Sequence, residues 1–79
     1  MRLTLYARSY CHLCEEMVEA LRPLAGELNF TVEPVDVDSD PALEARYGER
    51  VPVLVDSHGE EICHYVLDLG ALRQRVAVK

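Results

Sequence analysis

From Arg2 to Tyr6 the chain alternates, with Leu3 and Leu5 on one side and Thr4 and Tyr6 on the other, the two-residue period of a strand. After a short break the period becomes helical. Leu13, Met17, Val18, Leu21, Leu24, Ala25 and Leu28 fall on one face of a helix predicted from about His12 to Leu28. Pro23 lies inside it and predicts a kink, because its ring removes an interior hydrogen bond and crowds the preceding turn. Phe30 to Val37 reads as a second strand whose apolar phase slips between Val32 and Val35. Pro34 sits at the slip, and proline in a strand belongs at a bulge or a sheet edge, so this strand is expected at an edge.

The second helix is defined by its punctuation. Asp40 suits the N-cap, Pro41 the first helical position and Gly48 the residue after the end. Val51-Pro52-Val53-Leu54-Val55 is a short apolar run of strand character. Asp56-Ser57-His58-Gly59 predicts a turn, and Glu60 to Tyr65 the returning strand of a hairpin. Asp68 can cap a last helix with Leu69, Leu72 and Val76 on one face. The order β-α-β-α-β-β-α predicts a right-handed β-α-β unit, a hairpin and a closing helix. That is a small α/β sandwich in which a four-stranded mixed sheet is flanked by helices.

Composition narrows the picture. The 79 residues make one domain, 1–79, near the lower size at which a single core suffices, and 49% hydrophobic content is enough to fill that core. No apolar run approaches the roughly 20 residues of a membrane span. The N-terminus shows a strand pattern without a cleavable signal, which makes a cytoplasmic protein the expectation. A net charge of -6 argues against nucleic acid and anionic membrane as partners. A monomer is the simplest expectation.

The chemistry concentrates in Cys11-His12-Leu13-Cys14, set between the first strand and the first helix. A helix N-terminus carries unsatisfied N–H groups and about half a positive elementary charge, so an anion there is stabilised. Cys11 falls at or near the N-cap, which favours its thiolate, the nucleophilic form. Cys14 lies at i+3 on the same face, where the two sulfurs can close a disulfide with little backbone change. Arg8 adds a nearby positive charge that Glu15 and Glu16 oppose. In a reducing compartment such a pair is more often catalytic or metal-binding than a structural staple.

Tyr6-Ala7-Arg8-Ser9-Tyr10-Cys11-His12-Leu13-Cys14, with Arg50-Val51-Pro52 some 40 residues later, resembles the thioredoxin superfamily and, within it, glutaredoxin-like proteins. The element order carries the resemblance over essentially the whole chain. It implies a thioredoxin-like, glutaredoxin-type fold and a thiol–disulfide oxidoreductase in which Cys11 attacks and Cys14 resolves. It also implies a cis Val51–Pro52 bond opposite the dithiol, a Val51 backbone that pairs with substrate, and an Arg8 that meets the carboxylate of glutathione. No bound cofactor is implied. Glutathione or a thioredoxin-type reductase would restore the dithiol, and the substrates would be disulfide-bearing proteins or glutathione mixed disulfides. The chain departs from the glutaredoxin pattern in three places. His12-Leu13 replaces Pro-Tyr, Arg50 replaces Thr, and His64-Tyr65-Val66-Leu67-Asp68 stands where a Gly-Gly turn would approach glutathione.

Other residues admit more than one reading. His12 can tune the Cys11 thiolate or stand as an inert loop residue. Cys63 is expected as a small buried hydrophobe on the other edge strand. His58 and His64 have no partner legible in sequence and read as surface residues. Cys11, Cys14, Cys63 and His64 could in principle supply zinc ligands, but adjacent strand residues point to opposite faces. The alternative to catalysis is a binding module on the same fold, either an iron–sulfur or metal carrier or a redox-sensing adaptor.

Overall fold

Strand β1 (Arg2–Ala7) pairs in parallel with β2 (Thr31–Asp36) on one side and antiparallel with β3 (Val53–Val55) on the other. Strand β4 (Glu61–His64) closes the sheet antiparallel to β3, giving the order β2-β1-β3-β4. Helices α1 (His12–Leu28), α2 (Pro41–Tyr47) and α3 (Leu69–Ala77) connect and flank these strands, with a 3-10 turn at Val37–Ser39 before α2. This computed structural model describes residues 1–77. Among them no helix is long and apolar enough to cross a membrane.

The alternation of β1 divides the core in two. Leu3 and Leu5 pack with Met17 and Leu21 of α1, Leu72 of α3, Phe30, Leu54, Ile62 and Cys63. On the opposite face Tyr6 joins Val37, Tyr47, Val51, Val53 and Val55, together with Cys14. The sheet is thus covered by α1 and α3 on one face and α2 on the other. This is the four-stranded mixed sheet flanked by helices that the element order implies.

Several local expectations change. Pro34 pairs with Leu5 in unbroken register, and β2 is an edge strand without a bulge. Val32 and Val35 lie on opposite faces and are each only half-buried, which is why no single apolar phase runs through the strand. The register shift falls instead between Leu54 and Val55, where Cys63 and Glu61 are the successive partners. Ile62 is the extra residue, so Ile62 and Cys63 both join the α1–α3 core although they are neighbours in sequence. Helix α1 is continuous through Pro23. It ends at Asn29 in the left-handed conformation (φ 61), whose N–H returns to Ala25 O. Leu13 and Val18 remain more than a third exposed, because the apolar arc of α1 is wider than the surface the sheet presents to it.

Asp56 ties the hairpin to α3. Its carboxylate is buried, accepts the amides of His58 (2.8 Å) and Glu60 (3.0 Å), and pairs with the guanidinium of Arg75. Burial pushes the Asp56 carboxyl up, but those two amides and the Arg75 charge outweigh it and hold it below 3.8.

Candidate active site

The β1–α1 loop ends with a residue that does little for the fold. Tyr10 has φ 61 and a fully exposed side chain. Cys11 then returns to extended backbone (φ -102, ψ 111) and serves as the N-cap of α1, its Sγ accepting the Cys14 N–H at 3.2 Å. A sulfur thus takes the place usually filled by a Ser, Thr or Asp oxygen, at the end of the helix where an anion is favoured. Cys11 is half-buried and Cys14 is buried; all three cysteines are free thiols.

Cys14 packs into the α2-side core with Val37, Tyr47, Val51 and Val53, and Cys11 packs against the edge of that cluster. Its thiol is pushed up to about 11. Desolvation is the largest cause, followed by the hydrogen bond to Cys11, while the Arg8 backbone and guanidinium pull the other way. The two cysteines therefore differ in kind: one is half-buried with its sulfur at the helix N-cap, and the other is a protonated thiol buried in the core.

The Val51–Pro52 peptide is cis, as the resemblance implies. Pro52 is fully buried, and its carbonyl accepts the Tyr65 N–H at 3.0 Å. The residues before it are tied to β4. Arg50 Nη1 lies 2.7 Å from Glu61 Oε1, the other Glu61 oxygen lies 2.6 Å from His64 Nδ1, and the Tyr65 hydroxyl donates to Glu49 O at 3.0 Å. His64 is thus partnered rather than a lone surface residue. The β3–β4 shift explains why this escapes a sequence reading: i and i+3 lie on opposite faces of a regular strand, but the extra residue brings Glu61 and His64 to one face.

Arg8 is ion-paired within the protein on the α2 side of the sheet. Its guanidinium pairs with Asp38 (3.1 Å) and more loosely with Glu44 (3.9 Å). Gly48 makes room for this arrangement. It is right-handed (φ -53), not the left-handed cap expected of a glycine after a helix. A Cβ there would meet Glu44 O at 2.5 Å, Glu44 Oε2 at 2.7 Å and Arg8 Nη2 at 3.1 Å, so close approach is what requires glycine. His12 is exposed, and its Nε2 lies 2.6 Å from Glu16 Oε2, one turn along the helix.

Where a Gly-Gly turn would stand, Tyr65 itself adopts the left-handed region (φ 66), edge-on to the His64 ring. Beyond it, Asp68 caps α3 by accepting the Ala71 N–H at 3.0 Å. Cys63 is buried in the core on the other face of the sheet from Cys14, and burial raises its thiol. Among the described residues, no three His, Cys, Asp or Glu side chains converge as a metal site.

A groove of about 520 Å³ runs beside the dithiol, lined by Arg8, Tyr10, Cys14, Glu15, Val18 and Glu19, among others. On the other flank a cleft of about 140 Å³ lies between Leu13 and Glu16 of α1 and Tyr65 and Val66.

Comparison with known proteins agrees with this architecture. Residues 2–77 match the model of the glutaredoxin-like domain (DUF836). Among solved structures, protein Ne2328 from Nitrosomonas europaea is 39% identical, with a TM-score of 0.84 over 94% of this chain and 88% of that one. Protein XcR50 from X. campestris is 43% identical, with a TM-score of 0.74 over 100% of this chain and 96% of that one. Thioredoxin 1 from Thermosipho africanus, 16% identical with a TM-score of 0.66 over 99% and 97%, shares the fold. No curated protein is significantly similar in sequence. On the family match and these relatives, the chain belongs to the glutaredoxin-like (DUF836) domain family of the thioredoxin superfamily.

Proposed function

We propose that this protein is a thiol–disulfide oxidoreductase working through Cys11 and Cys14. The observation that carries the reading is the asymmetry of the pair: a half-buried cysteine whose sulfur caps the helix N-terminus, beside a buried thiol pushed up to about 11.

The Cys11 thiolate attacks one sulfur of a substrate disulfide. The Cys11–substrate bond forms, the substrate S–S bond breaks, and the second substrate sulfur leaves as a thiolate that takes a proton. Cys14 then gives up its proton and attacks Cys11 Sγ. The mixed disulfide breaks, the substrate leaves fully reduced, and two electrons have passed to it at the cost of a Cys11–Cys14 bridge. Proximity makes this second step intramolecular, which compensates for the small thiolate fraction of Cys14. An external dithiol or thiol, of thioredoxin-reductase or glutathione type, restores the starting state. The family resemblance assigns Val51 and Pro52 to shaping the substrate groove, with the Val51 backbone pairing with substrate, and Arg8 contributes positive charge near Cys14.

Disulfide reduction by the reduced protein tests this directly. Cys11→Ser should abolish it, and Cys14→Ser should accumulate a covalent Cys11–substrate adduct visible by intact mass. Full activity in Cys11→Ser would end the account.

A further inference from the structure

Two residues at places where the chain departs from the glutaredoxin pattern, Arg50 and Tyr65, fasten the chain on either side of Val51. Arg50 donates its amide to Tyr47 O (2.8 Å) and its Nη2 to Arg46 O (3.3 Å), which ties it to the end of α2. Its guanidinium lies 5.8 Å from the centre of the Tyr47 ring, which in turn stacks on Tyr6 at 4.1 Å. Its Nη1 reaches 2.7 Å to Glu61 Oε1 on β4, and His64 Nδ1 lies 2.6 Å from the second Glu61 oxygen. Glu61 is thereby held in one orientation from both sides.

Tyr65 fastens the same segment twice. Its hydroxyl donates to Glu49 O at 3.0 Å and its amide to Pro52 O at 3.0 Å, so one residue grips the chain before and after Val51. It does so from the left-handed region (φ 66), which a tyrosine rarely adopts and which persists where the surrounding structure determines it. Such residues gather at ligand clamps. Val51 itself is left unfastened: among the described residues its amide and carbonyl have no backbone partner. Its side chain is buried in the cluster of Cys14, against which Cys11 packs. A backbone unit with both polar groups free, immobilised on each side and set beside the dithiol, can pair with an extended peptide as one strand pairs with another.

We infer that Arg50 and Tyr65 are positioning residues for substrate: acting through Glu61 and the Glu49 and Pro52 carbonyls, they hold the Val51 amide and carbonyl in place for the backbone of a disulfide-bearing polypeptide. The inference rests on the oxidoreductase reading above and adds no redox step to it. Preorganisation of this kind favours a substrate that has a peptide backbone and gives no advantage to a disulfide that has none.

Two probes separate these cases: a short peptide closed by an intramolecular disulfide, and hydroxyethyl disulfide, which has no amide to pair with Val51. Prereduced protein is mixed with each, and the second-order rate of Cys11–Cys14 oxidation is measured. The ratio of the peptide rate to the hydroxyethyl disulfide rate should fall about tenfold in Arg50→Ala. It should fall severalfold in Tyr65→Phe, which deletes one hydroxyl and keeps the ring. A contribution to folding alone would move both rates together and leave the ratio where it was. An unchanged or raised ratio in either variant would overturn the inference while leaving the oxidoreductase standing; should Arg50→Ala fail to fold, Tyr65→Phe decides by itself. Failure of both probes to oxidise the parent protein would overturn the dithiol reading and the inference with it.

Discussion

The Cys14 amide donates to the Cys11 sulfur across 3.2 Å, so the nucleophile candidate is also the cap that starts the helix carrying its partner. One contact therefore serves fold and chemistry together. Replacing Cys11 by Ala removes the cap and should cost about 1 kcal/mol, whereas Cys11→Ser keeps an acceptor and should cost much less. Urea unfolding of the two variants in the reduced state checks the difference.

Alkaline conditions should weaken the reduced protein through Cys14. Its folded value, about 11, lies above the ordinary 9.0, so its contribution to stability is complete below about pH 9 and is lost as pH rises through 11. Cys63, raised by burial, adds in the same direction. Thermal unfolding of the reduced protein between pH 8 and 11 should show this fall, and Cys14→Ala should flatten it in part. A pH-independent midpoint would contradict the burial argument.

Asp56 and Arg75 predict the acid side. The Asp56 value is depressed, so its contribution is present above the ordinary 3.8 and is lost as pH falls through the lower folded value. Arg75→Ala at neutral pH leaves a buried carboxylate with only two amides and should cost about 3 kcal/mol, the low end for breaking a buried pair because Arg75 is partly exposed. In a domain of this size that lowers the midpoint of melting by roughly 10 °C or more. A loss below about 0.5 kcal/mol would place the pair among ordinary surface bridges.

Gly48→Ala should destabilise by about 1–3 kcal/mol through overpacking, although its φ of -53 suits alanine. The added methyl must displace Glu44 or Arg8, so the same variant should shift the Arg8 guanidinium resonances in an NMR spectrum. A neutral or stabilising substitution would show that the Glu44–Arg8 approach gives way freely.

Tyr10→Asn probes the β1–α1 loop. Asparagine tolerates the left-handed region better than tyrosine, and the exposed ring contributes no burial, so stability should hold or rise by about 0.5 kcal/mol. Urea unfolding of Tyr10→Asn checks this, and a loss of stability would show that the tyrosine serves the fold.

Much of the architecture is legible in the chain because its signals are local. The alternation through Leu3 and Leu5, the Asp40-Pro41 start of α2, the Asp68 cap and the strand–Cys-x-x-Cys–helix join each lie within a few residues. What escaped depends on pairing across the sheet. The extra residue at Ile62 puts Cys63 and Ile62 in one core and aligns Glu61 with His64, and nothing in the four-residue stretch itself announces it. Gly48 was legible as punctuation but not as the clearance for Arg8, since that contact joins two loops forty residues apart. The Arg8 pairing with Asp38 and Glu44 is likewise a product of the fold.

The measurement closest to the central claim is a redox titration of the purified protein in glutathione buffers, read by intact mass and peptide mapping. The account predicts a reversible loss of two hydrogens that maps to a single Cys11–Cys14 disulfide, with Cys63 remaining a free thiol. A protein that never forms that bridge across the range of potentials, or that pairs Cys63 instead, would contradict it.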